Sequence, residues 1–289
     1  MYRQFREKLR TRSPQVPSRN SNLPKESEQS ASLPHQRHLK LLSFNIQVGI
    51  STETYRHYVT RSWQHLLPSS SRVKNLDVIA GLLNQYDIVA LQECDGGSMR
   101  SGYVNQVEYL AEKSGHPFWY QQLNRNLGKL GQHSNGLLSR IQPYHVSQHK
   151  LPGLLPGRGA IIARFGYRED PLVLVMLHLA LGFKAQYKQL EHICELIAPY
   201  EHVVVMGDMN NHAEQLLTRT PLKNSNLCSL PTAIPTFPSW RPERMLDHIL
   251  VSPALQIRNA GVVCFPVSDH LPIAVEIAMP AGYHQKYSL

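Results

Sequence analysis

Glu201-His202-Val203-Val204-Val205-Met206-Gly207-Asp208-Met209-Asn210-Asn211 decides how the chain is read. Its first half is a short apolar run rich in β-branched residues, the pattern of a buried strand. The run stops at Gly207, and Asp208 and Asn210 follow. Two positions apart at a strand end, their side chains point to the same side. An acid and an amide facing one way at the mouth of a sheet suit a metal-bound water and a phosphate oxygen. Asp and Asn also cap turns, so this stretch alone leaves both readings open.

Further out, other buried strands end in the same way. Leu41 to Ile46 reads as the first strand, broken by Asn45, and a buried amide must find hydrogen bonds. Apolar spacing predicts a helix over 73–86, then a strand over 87–92 that ends in Glu93. A carboxylate there is costly unless it is paired or bound to a metal. Residues 104–114 read as a helix, and 118–121 and 134–140 as strands, with Asn135 at a strand start. Residues 158–164 and 172–177 read as a β-hairpin around 166–171, whose second strand delivers His178. Lys184 to Ala198 is an amphipathic helix with Tyr187, Leu190, Ile193, Cys194 and Ile197 on one side, closed by Pro199. Pro-rich residues 221–243 read as a long loop carrying Phe237 and Trp240. Asp247 interrupts the apolar strand Met245 to Val251, and Ser268-Asp269-His270 forms the turn between strands over 257–265 and 273–277. Two halves, each with strands and helices, fit this order.

The chain has 289 residues, 42% of them hydrophobic, enough for one large domain or two small ones. Its net charge of +9 is concentrated at one end. Residues 1–40 hold nine Lys or Arg and three acids, a net +6 that leaves +3 for residues 41–289. Such a tail suits a polyanion or an anionic membrane surface, while the body is only mildly basic. Residues 1–38, rich in Ser, Pro, Gln and Arg, read as a disordered basic leader, 39–280 as the domain and 281–289 as a C-terminal tail. Residues 50–72 mix aromatic and basic side chains and have two readings: a substrate-facing insertion, or a helix packed by its own aromatics. Cys94, Cys194, Cys228 and Cys264 form no CxxC pair, which argues against a zinc or thioredoxin-like site and fits free thiols. The N-terminus has no apolar run of signal-peptide length and nothing is long enough to span a bilayer. A cytoplasmic monomer is the default expectation.

Six strand ends or adjacent turns thus carry Asn45, Glu93, His178, Asp208 with Asn210, Asp247, and Asp269 with His270. Carboxylates gathered this way repel unless a divalent cation offsets them. Hard oxygen ligands with no Cys and few His favour Mg²⁺ or Mn²⁺ over Zn²⁺. The ordered set Phe44-Asn45-Ile46, Leu91-Gln92-Glu93, Asn135-Gly136-Leu137-Leu138-Ser139, Leu177-His178-Leu179, Gly207-Asp208-Met209-Asn210, Leu246-Asp247-His248-Ile249 and Ser268-Asp269-His270-Leu271-Pro272 resembles the endonuclease/exonuclease/phosphatase superfamily over roughly residues 39–279. The ordered combination is specific, whereas a single motif such as Gly-Asp-Met-Asn is not.

The resemblance implies a four-layered α/β sandwich, with two packed, mostly antiparallel mixed sheets and helices outside. It implies Mg²⁺-dependent cleavage of a phosphodiester by in-line attack of water, with Mn²⁺ as a substitute metal. Glu93 is then the main metal ligand, with Asp269, and Asn45 binds metal or phosphate. Asp208 orients or activates the water, and Asn210, Asn135 and Arg158 face the phosphate. His270 acts as base or transition-state stabiliser, with Asp269 or Asp247 fixing its tautomer, and His178 donates to a phosphate oxygen or the leaving group.

Departures from the pattern narrow this reading. Asp95 stands where abasic-site nucleases usually have Lys, and His178 where they use Tyr. Both move the reading toward the DNase-I-like and sphingomyelinase-like branches. Gln47 and His248 stand where many members have His and Tyr. Arg158 resembles an arginine of several phosphodiesterase members, beside the phosphate or in a structural ion pair. A nuclease needs a basic groove, and a phospholipid or sphingomyelin headgroup hydrolase needs an exposed apolar loop near the site, which residues 50–72 or 231–240 would supply. Phosphomonoesterase activity is a further alternative. A non-catalytic binding module that keeps the fold is the remaining one, and filled metal and proton-transfer positions argue against it.

Overall fold

Strand alternation sorts the apolar residues into three packed layers. In β7 (Pro171–His178), Leu172, Leu174 and Met176 join one buried cluster and Val173, Val175 and Leu177 another. β8 (His202–Asp208) divides the same way, Val204 and Met206 against Val203 and Val205. In β1 (His38–Asn45) and β2 (Ile88–Asp95), Leu39, Leu41, Ile88 and Ala90 face that first cluster, while Leu42, Phe44, Val89 and Leu91 face a third. The first cluster therefore fills the space between two sheets, and the other two lie under helices. The result is the expected four-layered sandwich, seen in a computed structural model that describes residues 38–49, 70–153, 157–231 and 234–279. The expectations for the basic leader, most of segment 50–72 and the C-terminal tail fall outside those residues.

The remaining strands are β3 (Phe118–Asn126), β4 (Gln132–Ser139), β5 (His145–Lys150), β6 (Gly159–Gly166), β9 (Cys228–Ser229), β10 (Asp247–Val251), β11 (Gln256–Val262) and β12 (Ile273–Ala278). One six-stranded sheet runs β11-β12-β1-β2-β4-β3 and the other β5-β6-β7-β8-β10-β9. β1 pairs with β2 and β7 with β8 in parallel, and the other ladders are antiparallel. A parallel pair needs a crossover, and helices α1 (Ser70–Leu83) and α3 (Phe183–Ile197) lie in those two connections. α2 (Gln106–Ser114) is capped by the Asn105 side chain, which accepts from the Val107 and Glu108 amides. α4 (Ala213–Arg219) is a short helix after β8.

Two expectations need correction here. β5 was not foreseen, because His-Val-Ser-Gln-His-Lys has no apolar run, and only Val146 is buried on this edge strand. In α3 the buried face runs through Gln186, Gln189, Leu190, Ile193 and Ile197, and Tyr187 is exposed. The buried glutamines displace the tyrosine because their amides hold loop carbonyls, Gln186 on Ala180 at 2.8 Å and Gln189 on Pro152 at 3.0 Å. All four cysteines are free thiols. Among the described residues, no helix is long and apolar enough to cross a membrane.

Candidate active site

Topology brings the chemistry to one rim of the sandwich. β1, β2, β7 and β8 end there, and antiparallel partners begin there: Asp247 opens β10 opposite Asp208, and β12 opens opposite Ser43. Asn45, His178, Asp208 and Asp247 share strand parity with Leu41, Met176, Met206 and Ile249, so they enter the space between the sheets. Glu93 has the opposite parity, that of Val89 and Leu91, and strict alternation would send it under the helices. A bulge between Leu91 and Cys94 and a left-handed φ of 56° at Glu93 redirect it. Its charge accordingly acts on Asp208, Asp269 and Arg158.

Asp208 is the hub. Its Oδ2 accepts from Asn45 Nδ2 at 3.1 Å, a bond that ties the two sheets together. The same oxygen lies 3.4 Å from His178 Nε2 and 3.9 Å from His270 Nε2. Its Oδ1 accepts from the Asn210 amide at 2.9 Å, in a turn where Asn210 adopts φ 52°. Gly207 makes this approach feasible: its φ is 152°, and a Cβ there would stand 1.9 Å from the Leu177 carbonyl oxygen. His270 Nδ1 donates to Asp247 Oδ2 at 2.7 Å, and Thr236 Oγ1 donates to the same oxygen at 2.6 Å. The Phe237 ring covers His270 at 4.9 Å between centroids. Of the two acids expected to orient His270, Asp247 is the one hydrogen-bonded to its ring. Asp269 instead accepts from Ser268 Oγ at 3.2 Å.

Arg158 Nη1 stands 2.6 Å from His178 Nε2. A guanidinium has no acceptor, so this nitrogen accepts and His178 carries its proton on Nδ1. In this arrangement His178 Nε2 cannot donate to a phosphate, and the donor next to that space is Arg158. Asn135 Nδ2 donates to the Gly159 carbonyl at 3.2 Å and so anchors the segment that carries Arg158. Asn210 Nδ2 likewise donates to the Leu179 carbonyl at 2.9 Å. Both amides buttress the site with the groups that were expected to face phosphate.

Burial and crowded charge set the titration behaviour. Burial first, then Asp247 and Glu93, raise Asp208 to about 7 against the pull of His270. Burial and Glu93 raise Asp269 to about 6 against His270. Burial lowers His270, but Asp247, Asp208 and Asp269 outweigh it and lift the ring to about 10. Burial, Arg158 and His270 hold His178 well below the ordinary imidazole value.

This charge pattern fits a divalent cation. Asp247 Oδ1 is buried with no hydrogen-bond partner, and acids raised above their ordinary range mark surplus negative charge in a dry space. Ligand atoms of Asp208, Asp247 and His270 lie within 4.8 Å of one another; Asp247 Oδ2 and His270 Nδ1 are spent on each other, which leaves Asp247 Oδ1 open. Glu93, Asp269 and Asn45 remain uncommitted to such a pair and offer hard oxygens. Asp95 belongs to a different structure. Its buried carboxylate accepts from Ser98, Ser101, Gly97 and Arg100 and folds the 96–101 loop.

Residues 42–270 match the endonuclease/exonuclease/phosphatase family. No curated protein matches the chain. Among solved structures, an endonuclease/exonuclease/phosphatase from Beutenbergia cavernae is 19% identical, with a TM-score of 0.64 over 85% of this chain and 72% of that one. A mannosyl-6-phosphatase from Bacteroides thetaiotaomicron is 19% identical, with a TM-score of 0.58 over 83% and 100%. D. rerio TDP2, complexed with a single-strand DNA product, is 15% identical, with a TM-score of 0.57 over 84% and 99%. At such identities the likeness speaks for the fold.

Proposed function

The chain belongs to the endonuclease/exonuclease/phosphatase family, a family of hydrolases of phosphate esters, and we propose from that premise that it cleaves a phosphodiester with the help of a divalent cation. The observation that carries this reading is the convergence of Asn45 Nδ2 and His270 Nε2 on one carboxylate oxygen of Asp208, beside the His178–Arg158 pair. In-line displacement needs a positioned water, donors on the non-bridging oxygens and neutralised charge. Asp208 orients the water through Oδ2 and takes its proton, its raised pKa suiting that exchange near neutrality. His270, fixed by Asp247, presents a protonated Nε2 to the developing charge. Arg158 supplies the guanidinium for a non-bridging oxygen. Glu93, Asp269 and Asn45 would hold Mg²⁺ or Mn²⁺, which when bound polarises the phosphate and offsets the acids. Attack of hydroxide on a monoanionic diester builds a dianionic transition state, which one guanidinium and one imidazolium match. A dianionic monoester is the second reading, and the resemblance to a phosphatase fold is its support.

Hydrolysis of bis-p-nitrophenyl phosphate against p-nitrophenyl phosphate, with Mg²⁺, Mn²⁺ or EDTA, tests this directly. Metal-dependent cleavage of the diester, lost in Glu93→Ala, is the expected result. Preference for the monoester replaces the reading with phosphatase activity, and turnover that survives EDTA and Glu93→Ala removes it.

A further inference from the structure

Large apolar side chains left exposed are ordinary when scattered. Here they gather. Tyr103, Leu127, Leu130, Leu181, Phe183 and Ile234 come from four separate loops, and all four leave the sandwich at the rim that holds the site. Tyr103 follows β2, and Leu127 and Leu130 form the tip of the β3–β4 hairpin. The Met99 amide donates to the Lys129 carbonyl at 2.8 Å, so these two loops are joined. Leu181 and Phe183 follow His178, two and four residues beyond the Leu179 carbonyl that holds Asn210. Ile234 precedes Thr236, which supports Asp247. Leu130 and Leu181 are 61% and 77% exposed, more than a single stray contact with water requires.

Charge indicates what covers this rim. Lys129 sits between the two hairpin leucines and Lys184 follows Phe183, both exposed, whereas Asp208, Asp247 and Asp269 are buried. The outermost layer is thus aliphatic and cationic, with the acids recessed behind it. Lysines that flank apolar tips place their ammonium groups among anionic headgroups while the tips enter the acyl boundary. A polynucleotide surface would instead call for aromatic platforms along a basic groove, and most of these residues are aliphatic.

We propose that this rim docks on an anionic bilayer, and that the phosphate ester cleaved is presented in a lipid headgroup layer. The substrate half of this inference rests on the phosphoesterase reading above; the docking half does not.

Flotation of the full chain with phosphatidylcholine vesicles, with and without phosphatidylglycerol, tests it alongside hydrolysis of soluble bis-p-nitrophenyl phosphate. Two double variants are compared, Leu130→Ser with Leu181→Ser and Lys129→Glu with Lys184→Glu. The chain is expected to float with the phosphatidylglycerol vesicles only. Each double variant should lower the partition coefficient by about tenfold or more, as expected for two apolar tips or two reversed charges. Soluble turnover should stay unchanged, because none of the four residues touches the site. The proposal falls if the wild type does not float, if both variants float as well as it does, or if the leucine variant instead abolishes a dimer. Rim-dependent flotation without any soluble turnover would keep the docking surface and remove the phosphoesterase reading, so the two fail separately.

Discussion

Asp247 and Asp208 are direct cross-strand partners in the β10–β8 ladder. Like charges in that position destabilise a sheet unless something lies between them. His270 fills that role, with Nδ1 on Asp247 and Nε2 toward Asp208. The imidazolium is therefore both a structural counterion and a chemical group.

Asp247→Asn separates these roles. The amide keeps the shape and removes the charge that holds His270 protonated. Turnover should fall by roughly 10²–10⁴, the range for disabling an acid–base pair. The His270 resonance in an NMR titration should move down from about 10. An unmoved titration would mean that Asp208 and Asp269 carry the effect.

Stability of the metal-free chain should depend on pH above neutrality. The folded pKa of His270 is raised from 6.5 to about 10, so its contribution is fully present below pH 6.5 and is lost as pH rises through 10. Melting temperatures in EDTA should decline across that window, and His270→Gln should flatten the decline. Equal slopes in both proteins would refute the assignment.

Glu93 and Asp95, two residues apart, should behave oppositely. Glu93→Gln is expected to weaken Mn²⁺ binding in calorimetry by at least about tenfold and leave the melting temperature of the metal-free chain near that of the wild type. Asp95→Ala leaves the buried Arg100 guanidinium without its carboxylate and should cost about 3–5 kcal/mol in urea denaturation. Reversed results would exchange the two roles.

Gly207→Ala probes the turn that aims Asp208. The added methyl meets the Leu177 carbonyl in a backbone conformation that alanine resists. A loss of about 3 kcal/mol or more is expected from the urea midpoint. A neutral result would show that the β7–β8 turn can relax.

Period-two alternation made most of this site legible in the sequence. Asn45, His178, Asp208 and Asp247 stand out as polar residues at strand ends; alternation turns each inward, and the strand order then brings the ends together. Glu93 was found by its position at a strand end, although its parity points the other way; a bulge is invisible to a pattern count. Thr236 went unnoticed because it lies in a Pro-rich loop with no period, and only its 2.6 Å bond to Asp247 singles it out. The acceptor state of His178 likewise depends on Arg158, a residue from a neighbouring strand end, which no local reading couples to it.

The β12–β1 pairing joins the last described strand to the first. Asp269 and His270 arrive just ahead of β12, whereas Asn45 closes β1 more than two hundred residues earlier. A ribosome must therefore release nearly the entire domain before the reaction centre can exist, and a protease that clips β12 away would undo it. On the proposed roles of Asp269 and His270, an unfinished or clipped chain would lack two groups of the centre and would not cleave phosphate esters.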